Sequence, residues 1–522
     1  MAMPGRRRRA TSGPTDAESS TVRPSVAPKA SGSIFSGAVL LGIGRYANGA
    51  VGFVGTVVIV RQLTQADYGK FAFVLSVMAI VGFVADLKLS REVLVSLFGD
   101  EEDVIASYVG LRLAVGLVSY GLLVVVVVAG PYPEVVVTAS LVGGITLILL
   151  SVANAVRLLF EARLWMRSLA AAQFFGVVAQ LVVILGLAAA GAATVVTLMW
   201  AIVANAAVTL LSLVLVARGH TVLRPRVQGA RWKVWLREAA PLSVGVVLDT
   251  VYYKVDMVML SLIGTFAATG IYSVGYKFAD LLGTAVPWAV MTPTLTVLVR
   301  AWPGDRALFH RTFRHSFVLI TVAGVLASVG FALIASPLIR TVYEERFAPA
   351  TTSAILLVVG MAIHFYTALS ITTLIAVKRN MLYPLAAFFG LVVNIGLNLV
   401  LIPRYSYNGA AMATVITEVA VLALLFPVVV RIESVRPLPV GPLAKTAVAG
   451  VAMWVSGALL DRVTPWPVAG LGAGVVFLGI LHFSRVNGEG GLRALVDRGS
   501  VAGVTESDAR PTVTDPVAVP PS

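Results

Sequence analysis

The stretch ASYVGLRLAVGLVSYGLLVVVVVAG, residues 106–130, carries one charge, Arg112, and is closed by Gly130-Pro131-Tyr132-Pro133. A bilayer core is crossed by roughly 20 apolar residues in a helix, and Gly-Pro pairs punctuate helices. The stretch therefore reads as one membrane crossing followed by a turn, and a second apolar run opens at 135. The same ruler laid along the chain gives fourteen spans: 34–60, 71–87, 106–130, 135–156, 169–190, 193–217, 238–263, 266–299, 315–338, 349–377, 381–402, 407–430, 439–460 and 465–484. The breaks between them are short and carry turn chemistry, such as Ala190-Gly191, Gly264-Thr265, Lys378-Arg379-Asn380 and Pro403-Arg404. Pro287 and Pro293 fall inside the span before Arg300 and predict a kink there. Composition agrees with this class. The chain is 58% hydrophobic and 13% charged, with mean hydropathy +0.90, whereas a soluble domain is about a quarter charged. Three soluble domains could not hide so much apolar surface, so the fold class is an all-α polytopic membrane protein of about fourteen transmembrane helices.

Charge supplies an independent check, because cytoplasmic loops are enriched in Lys and Arg. With the N-terminus in the cytoplasm, about 30 of the 40 Lys and Arg fall on the inner side and about 6 on the outer. The largest inner cluster is Arg218, Arg224, Arg226, Arg231, Lys233 and Arg237. This predicts a multi-pass protein of the cytoplasmic membrane with both termini inside. The net charge of +14 then reports basic loops rather than nucleic-acid binding. Residues 1–33, with the run Arg6 to Arg9, are too polar to fold and read as a disordered cytoplasmic tail, as do 486–522. The first apolar stretch is too long for a cleaved signal and is expected to remain as a helix.

The absence of cysteine excludes disulfides, thiolate metal sites and cysteine nucleophiles. The five histidines show no HxxxH or HExxH spacing, so no metal site is expected. No GxxxxGK[ST] loop is present, and apart from the tails no extramembrane segment exceeds about 20 residues. Neither a nucleotide-hydrolysing engine nor an external catalytic domain is expected, nor any cofactor. The chain does not read as an enzyme.

The basic loop 218–237 separates two sets of six helices, 34–217 and 238–430, and 431–485 adds two more. Three segments recur across the loop. Phe174-Phe175-Gly176 with Gln180 resembles Phe388-Phe389-Gly390 with Asn394, Gly191-Ala192-Ala193 resembles Gly409-Ala410-Ala411, and Gly69-Lys70-Phe71-Ala72 resembles Gly270-Ile271-Tyr272-Ser273. Repeats of six helices share one orientation, so they are related by an axis along the membrane normal. Such pairs are a transporter architecture, with cargo held between the halves.

Charges within spans are costly and mark cavities or partners. Arg45 and Asn48 lie three apart on one face of the first helix. Arg112 lies in the third. Asp249, Lys254 and Asp256 lie in the seventh, Lys277 and Asp280 in the eighth, Asn394 and Asn398 in the eleventh, and Glu418 in the twelfth. One reading pairs Lys254 and Lys277 with Asp256 and Asp280 and lets Arg112 snorkel to an interface. The other has the basic groups line an aqueous chamber and hold a polyanion such as a pyrophosphate. Arg45, with no acid in its own span, favours the second. Asp249 and Glu418, with no basic neighbour within a helical turn, are open between carrying a coupling ion and bonding buried amides. Tyr252, Tyr253, Tyr272 and Tyr276 fit either sugar stacking or an interface.

Three stretches carry a family likeness. They are Arg61-Gln62-Leu63-Thr64-Gln65-Ala66-Asp67-Tyr68-Gly69-Lys70-Phe71-Ala72; Asp256-Met257-Val258-Met259-Leu260 with Thr269-Gly270-Ile271-Tyr272-Ser273 and Tyr276-Lys277; and Asn398-Leu399-Val400-Leu401-Ile402-Pro403-Arg404-Tyr405 with Asn408-Gly409-Ala410-Ala411 and Ala413-Thr414. Together they resemble the Wzx-type oligosaccharide flippases of the multidrug/oligosaccharidyl-lipid/polysaccharide exporter superfamily. The resemblance implies two six-helix bundles around a V-shaped cavity. It implies alternating-access movement of a polyprenyl-diphosphate-linked oligosaccharide from the cytoplasmic to the outer leaflet for surface-glycan biosynthesis. Arg45, then Lys277 and Lys254, with Asn48 beside Arg45, are the candidates for holding the diphosphate. An ion gradient is implied, with Asp249, Asp256 or Glu418 as the coupling group. Membrane lipids and glycan polymerases or glycosyltransferases are the implied partners. An ion-coupled multidrug exporter of the same superfamily is the nearest alternative, and a membrane polymerase or glycosyltransferase a more distant one.

Overall fold

The computed structural model describes residues 48–85, 101–219, 224–432, 435 and 438–486. Arg45 and the two tails, 1–33 and 487–522, lie outside the described residues. Those described are helical throughout, with no strand among them. The helices are α1 (48–62), α2 (Gln65–Ala85), α3 (Glu101–Ala129), α4 (Glu134–Ala162), α5 (Met166–Ala189), α6 (Val195–Ala217), α7 (Gly229–Ile263), α8 (Phe266–Ala301), α9 (Arg306–Tyr343) and α10 (Ala350–Ala376). The run Leu382–Val430 is interrupted at Ser406 (φ 52°, ψ −133°) and folds into α11 (382–405) and α12 (407–430). α13 (Val440–Leu460) and α14 (Trp466–Phe483) complete the set. Among the described residues nine helical segments are long and apolar enough to cross a membrane. Their outward faces carry exposed Val118, Val125, Val128, Val182, Val448 and Val451, as expected where lipid rather than water is the solvent.

Local chemistry sets the boundaries and corrects several of the sequence expectations. α2 starts at Gln65, six residues before the expected 71, because the Thr64 hydroxyl caps it by accepting from the Asp67 amide at 3.1 Å. The 218–237 linker is helical from Gly229 onward. Trp232 and Trp235 anchor this added length on α3, the Trp232 indole donating to the Ser107 carbonyl at 3.0 Å and the Trp235 ring meeting Tyr108 edge-on. α9 overshoots the span 315–338 at both ends. Pro403 does not end its helix, and Ser406 does.

The helices pack as two groups. α2 to α6 cover one another in the N half, and α7 to α12 in the C half. α2 also lies against α7 and α8, joining the halves. α13 and α14 pack on each other and on α9. Small residues admit the closest approaches, as is usual where helices associate in lipid.

Candidate functional site

At the end of the molecule where α1 turns into α2, the halves meet backbone to backbone. A Cβ on Gly69 would lie 1.7 Å from the Phe266 carbonyl oxygen, and one on Gly270 would lie 2.0 Å from the Gln65 carbonyl oxygen. Each of those carbonyls stands four residues before the other glycine, so the contact is reciprocal. The Gly69 and Gly270 segments, matched by sequence as recurring, thus touch each other.

Two arginines reinforce this seam. Arg61, at the end of α1, donates through Nε to the Val342 carbonyl (3.0 Å) and through Nη2 to the Thr341 carbonyl (2.8 Å) at the end of α9. Arg346 returns the contact, donating to the Arg61 carbonyl at 2.7 Å and the Val60 carbonyl at 3.2 Å. The last carbonyls of a helix have no partner within it and carry partial negative charge, so each guanidinium satisfies the other half's helix end. Gln65 also donates to the Arg346 carbonyl. Tyr68 meets Phe347 edge-on with ring centroids 6.0 Å apart.

Beyond the seam lies a cavity of about 250 Å³ between the halves. α1, α2, α5 and α6 wall one side and α7 and α8 the other, and its polar lining includes Thr56, Gln180, Lys254, Tyr276, Lys277 and Asp280. The Lys254 ammonium sits 4.5 Å from the centroid of the Tyr276 ring, a cation–π contact that holds the charge without neutralising it. Among the described residues neither Lys254 nor Lys277 has a carboxylate within 4 Å. The pairing of these lysines with Asp256 and Asp280 is therefore not formed.

Asp256 is occupied elsewhere. It is buried between α7, α8, α11 and α12, where it accepts from Asn398 Nδ2 (2.6 Å), Tyr272 Oη (2.8 Å) and Thr414 Oγ1 (2.8 Å). Asn398 also donates to Asn394 Oδ1 at 2.9 Å. The side-chain Oδ1 of Asn398 is itself buried and has no hydrogen-bond partner among the described residues. Glu418 forms a second cluster, accepting from Tyr252 Oη at 2.8 Å and lying 3.2 Å from His364 Nδ1. Among the described residues of the N half, the comparable place holds neutral groups. There Asn205 Nδ2 donates to Gln180 Oε1 at 2.7 Å, and Thr209 lies beside Asn205 at 3.3 Å.

The structure thus brings Lys254 and Lys277 to one cavity and places Asp256 and Glu418 in the C-half interior. Asn48 opens the described part of α1, and its buried Oδ1 has no partner among the described residues. The side chain of Asp249, like Arg45, lies outside the described residues. Arg112 does not snorkel. It is buried, with Nε donating to the Tyr108 hydroxyl at 2.9 Å. His364 and the placement of Gln180 and Thr414 escaped the sequence reading, although Thr414 stands within the third family-like stretch and Gln180 within a repeat.

Residues 58–352 match the family described as polysaccharide biosynthesis protein, and no curated protein matches the chain. Among solved structures, the lipid II flippase MurJ in an inward closed conformation superposes with TM-score 0.69 at 15% identity, over 85% of this chain and 98% of that one. An inward-facing multidrug resistance MATE transporter of the MOP superfamily gives 0.61 at 12% identity, over 74% and 95%. A MOP superfamily transporter from Pyrococcus furiosus gives 0.52 at 14% identity, over 78% and 96%. These likenesses establish the fold. The sequence match covers more than half of the chain, and with it this multi-pass membrane protein belongs to the polysaccharide biosynthesis protein family.

Proposed function

We propose that the chain is a flippase that carries a polyprenyl-diphosphate-linked oligosaccharide across the cytoplasmic membrane by alternating access. The observation that carries this reading is the pair Lys254 and Lys277, two cations lining one cavity between two helix bundles with no carboxylate within 4 Å of either among the described residues. Two ammonium groups lining one cavity complement a diphosphate, and an apolar tail can remain in the surrounding bilayer. Family membership and the flippase fold support the same cargo class. At about 250 Å³ the cavity is smaller than the roughly 300–1,000 Å³ of typical ligand pockets. It accommodates a lipid head in this state, and the oligosaccharide requires a wider one.

The charge asymmetry of the loops supports a topology with both termini in the cytoplasm and fourteen helices across the membrane, as two repeats of six and an added pair. In that orientation the glycine seam faces outward and shuts the outer mouth. Asp256 and Glu418 are the carboxylates available to a coupling ion. The chain performs no covalent chemistry in this reading, and enzymes that build or polymerise the glycan are its expected partners.

The test is reconstitution with a labelled polyprenyl-diphosphate sugar, scoring its appearance in the opposite leaflet. Removing one of two cooperating charges costs about tenfold or more, so Lys277→Ala and Lys254→Ala are expected to slow flipping by at least that factor. Full flipping by the double variant would remove the diphosphate assignment. Absent flipping by the folded wild type under an imposed ion gradient would favour a cationic drug as cargo, for which Asp280 is the cavity acid.

A further inference from the structure

His364 on α10 and Glu418 on α12 form an ionisable pair separate from Asp256. The Glu418 side chain is 3% exposed and that of His364 17%. Glu418 uses one oxygen to accept from Tyr252 and the other to meet His364 Nδ1. The Tyr253 hydroxyl lies 2.8 Å from His364 Nε2 and 3.2 Å from Nδ1, nearer the nitrogen that Glu418 does not face. A cavity of about 20 Å³, lined by Tyr252, His364, Thr367, Tyr383 and Glu418 among others, adjoins the pair. That volume holds roughly one water.

We propose that His364 and Glu418 are a proton-binding site whose occupancy is read at the cargo cavity through Tyr253. The proposal rests on the transporter reading and deepens it by naming a coupling ion. The donor set selects a proton over a metal cation, because Glu418 already faces a phenol hydroxyl and a ring nitrogen, both of which a metal would displace. A proton displaces nothing. With Nδ1–H donating to Glu418, the neutral ring accepts at Nε2 from the Tyr253 hydroxyl. In the imidazolium both nitrogens donate. Uptake therefore forms one N–H bond at Nε2 with a proton from solvent, and the Tyr253 hydroxyl turns from donor to acceptor. Release to solvent reverses both changes.

Tyr253 links this change to the cavity. It precedes Lys254 in sequence, and its carbonyl accepts from Tyr276 Oη at 3.1 Å, while the Tyr276 ring carries the Lys254 ammonium. The titratable groups facing the pair are Tyr252 and Tyr253 from α7 and Tyr383 from α11. Tyr366, also on α10, is turned to Thr321 of α9. Asp256, one turn along α7, is held by its own three donors. The Asp249 side chain lies outside the described residues.

The chain has no native cysteine, so spin labels can be placed directly. Val135→Cys and Leu262→Cys put one exposed label on each half near the seam. Distances between them are measured in nanodiscs from pH 5 to 8.5 without cargo. Imidazole normally titrates within this range, and the expected result is one pH-dependent shift in the distance distribution, lost in His364→Gln and in Glu418→Gln. Tyr253→Phe should keep histidine titration and reduce the shift by at least half. A wild-type pH profile retained in His364→Gln overturns the proposal. Should both glutamine variants misfold, ¹⁵N-histidine spectra of the wild type decide. A titrating signal shielded from a soluble paramagnet supports the site, and titration confined to unshielded signals overturns it. No sugar lipid is present in either measurement, so failure here and failure of the flipping assay are distinguishable.

Discussion

The α5–α6 and α11–α12 hairpins occupy corresponding places in the two halves and hold different chemistry. In the first, Gly176 packs against Asn205 and Thr209, and the polar groups beside it are neutral. In the second, Gly390 packs against Val421 and Thr417, while Asn394 and Asn398 lead to Asp256 and Glu418 pairs with His364. A neutral amide cluster responds to neither pH nor membrane potential. A cluster with a carboxylate or imidazole responds to both. Among the described residues, the first cluster is thus neutral and the second carries groups that can change charge. The seam is the exception, since there the halves make the same contact on each other.

That distinction predicts equal damage at the seam and unequal damage inside the halves. Gly69→Val and Gly270→Val should be equivalent and have the largest effect, because the added carbons meet backbone that cannot rotate aside. Each should move the seam from closed to open, and about 5.5 kcal/mol suffices to carry a 99:1 population to 1:99. The spin-label distance across the seam reads this directly, and a large difference between the two variants would break the reciprocity. Asp256→Ala strands the Asn398, Tyr272 and Thr414 donors together and should cost about 3 kcal/mol in a denaturant titration in detergent. Asn205→Ala removes one neutral bond and should cost about 1 kcal/mol. Equal costs would mean that the C-half cluster is no more demanding than its neutral counterpart. The smallest effect is expected for Arg346→Ala, which uncaps the end of α1. A shift of about 1 kcal/mol, roughly fivefold toward an open seam, should appear in the same distance measurement.

The helices were legible because lipid-facing residues must be apolar and the connections short. The run at 106–130 needed only its length and the Gly-Pro stop. The lysines were legible as costly charges, but the cavity that they share was not. Asp256 stands two residues from Lys254 in sequence, yet its partner Asn398 is 142 residues away, and only the folded chain shows which of the two claims it. His364 was illegible for the same reason. One histidine in an otherwise uncharged helix gives no pattern, and the carboxylate that gives it meaning arrives from α12. Helix ends misread in sequence, such as Ser406 in place of Pro403, reflect the tolerance of proline within membrane helices.

The glycine contact has a consequence for ancestry. Because each strand of backbone meets the other's fourth-preceding carbonyl, the surface is self-complementary, the defining property of an isologous interface. A single six-helix unit bearing it would close against an identical copy with no further residue required. The reciprocal contact of Gly69 and Gly270 in this chain is the one that two such units would make on each other.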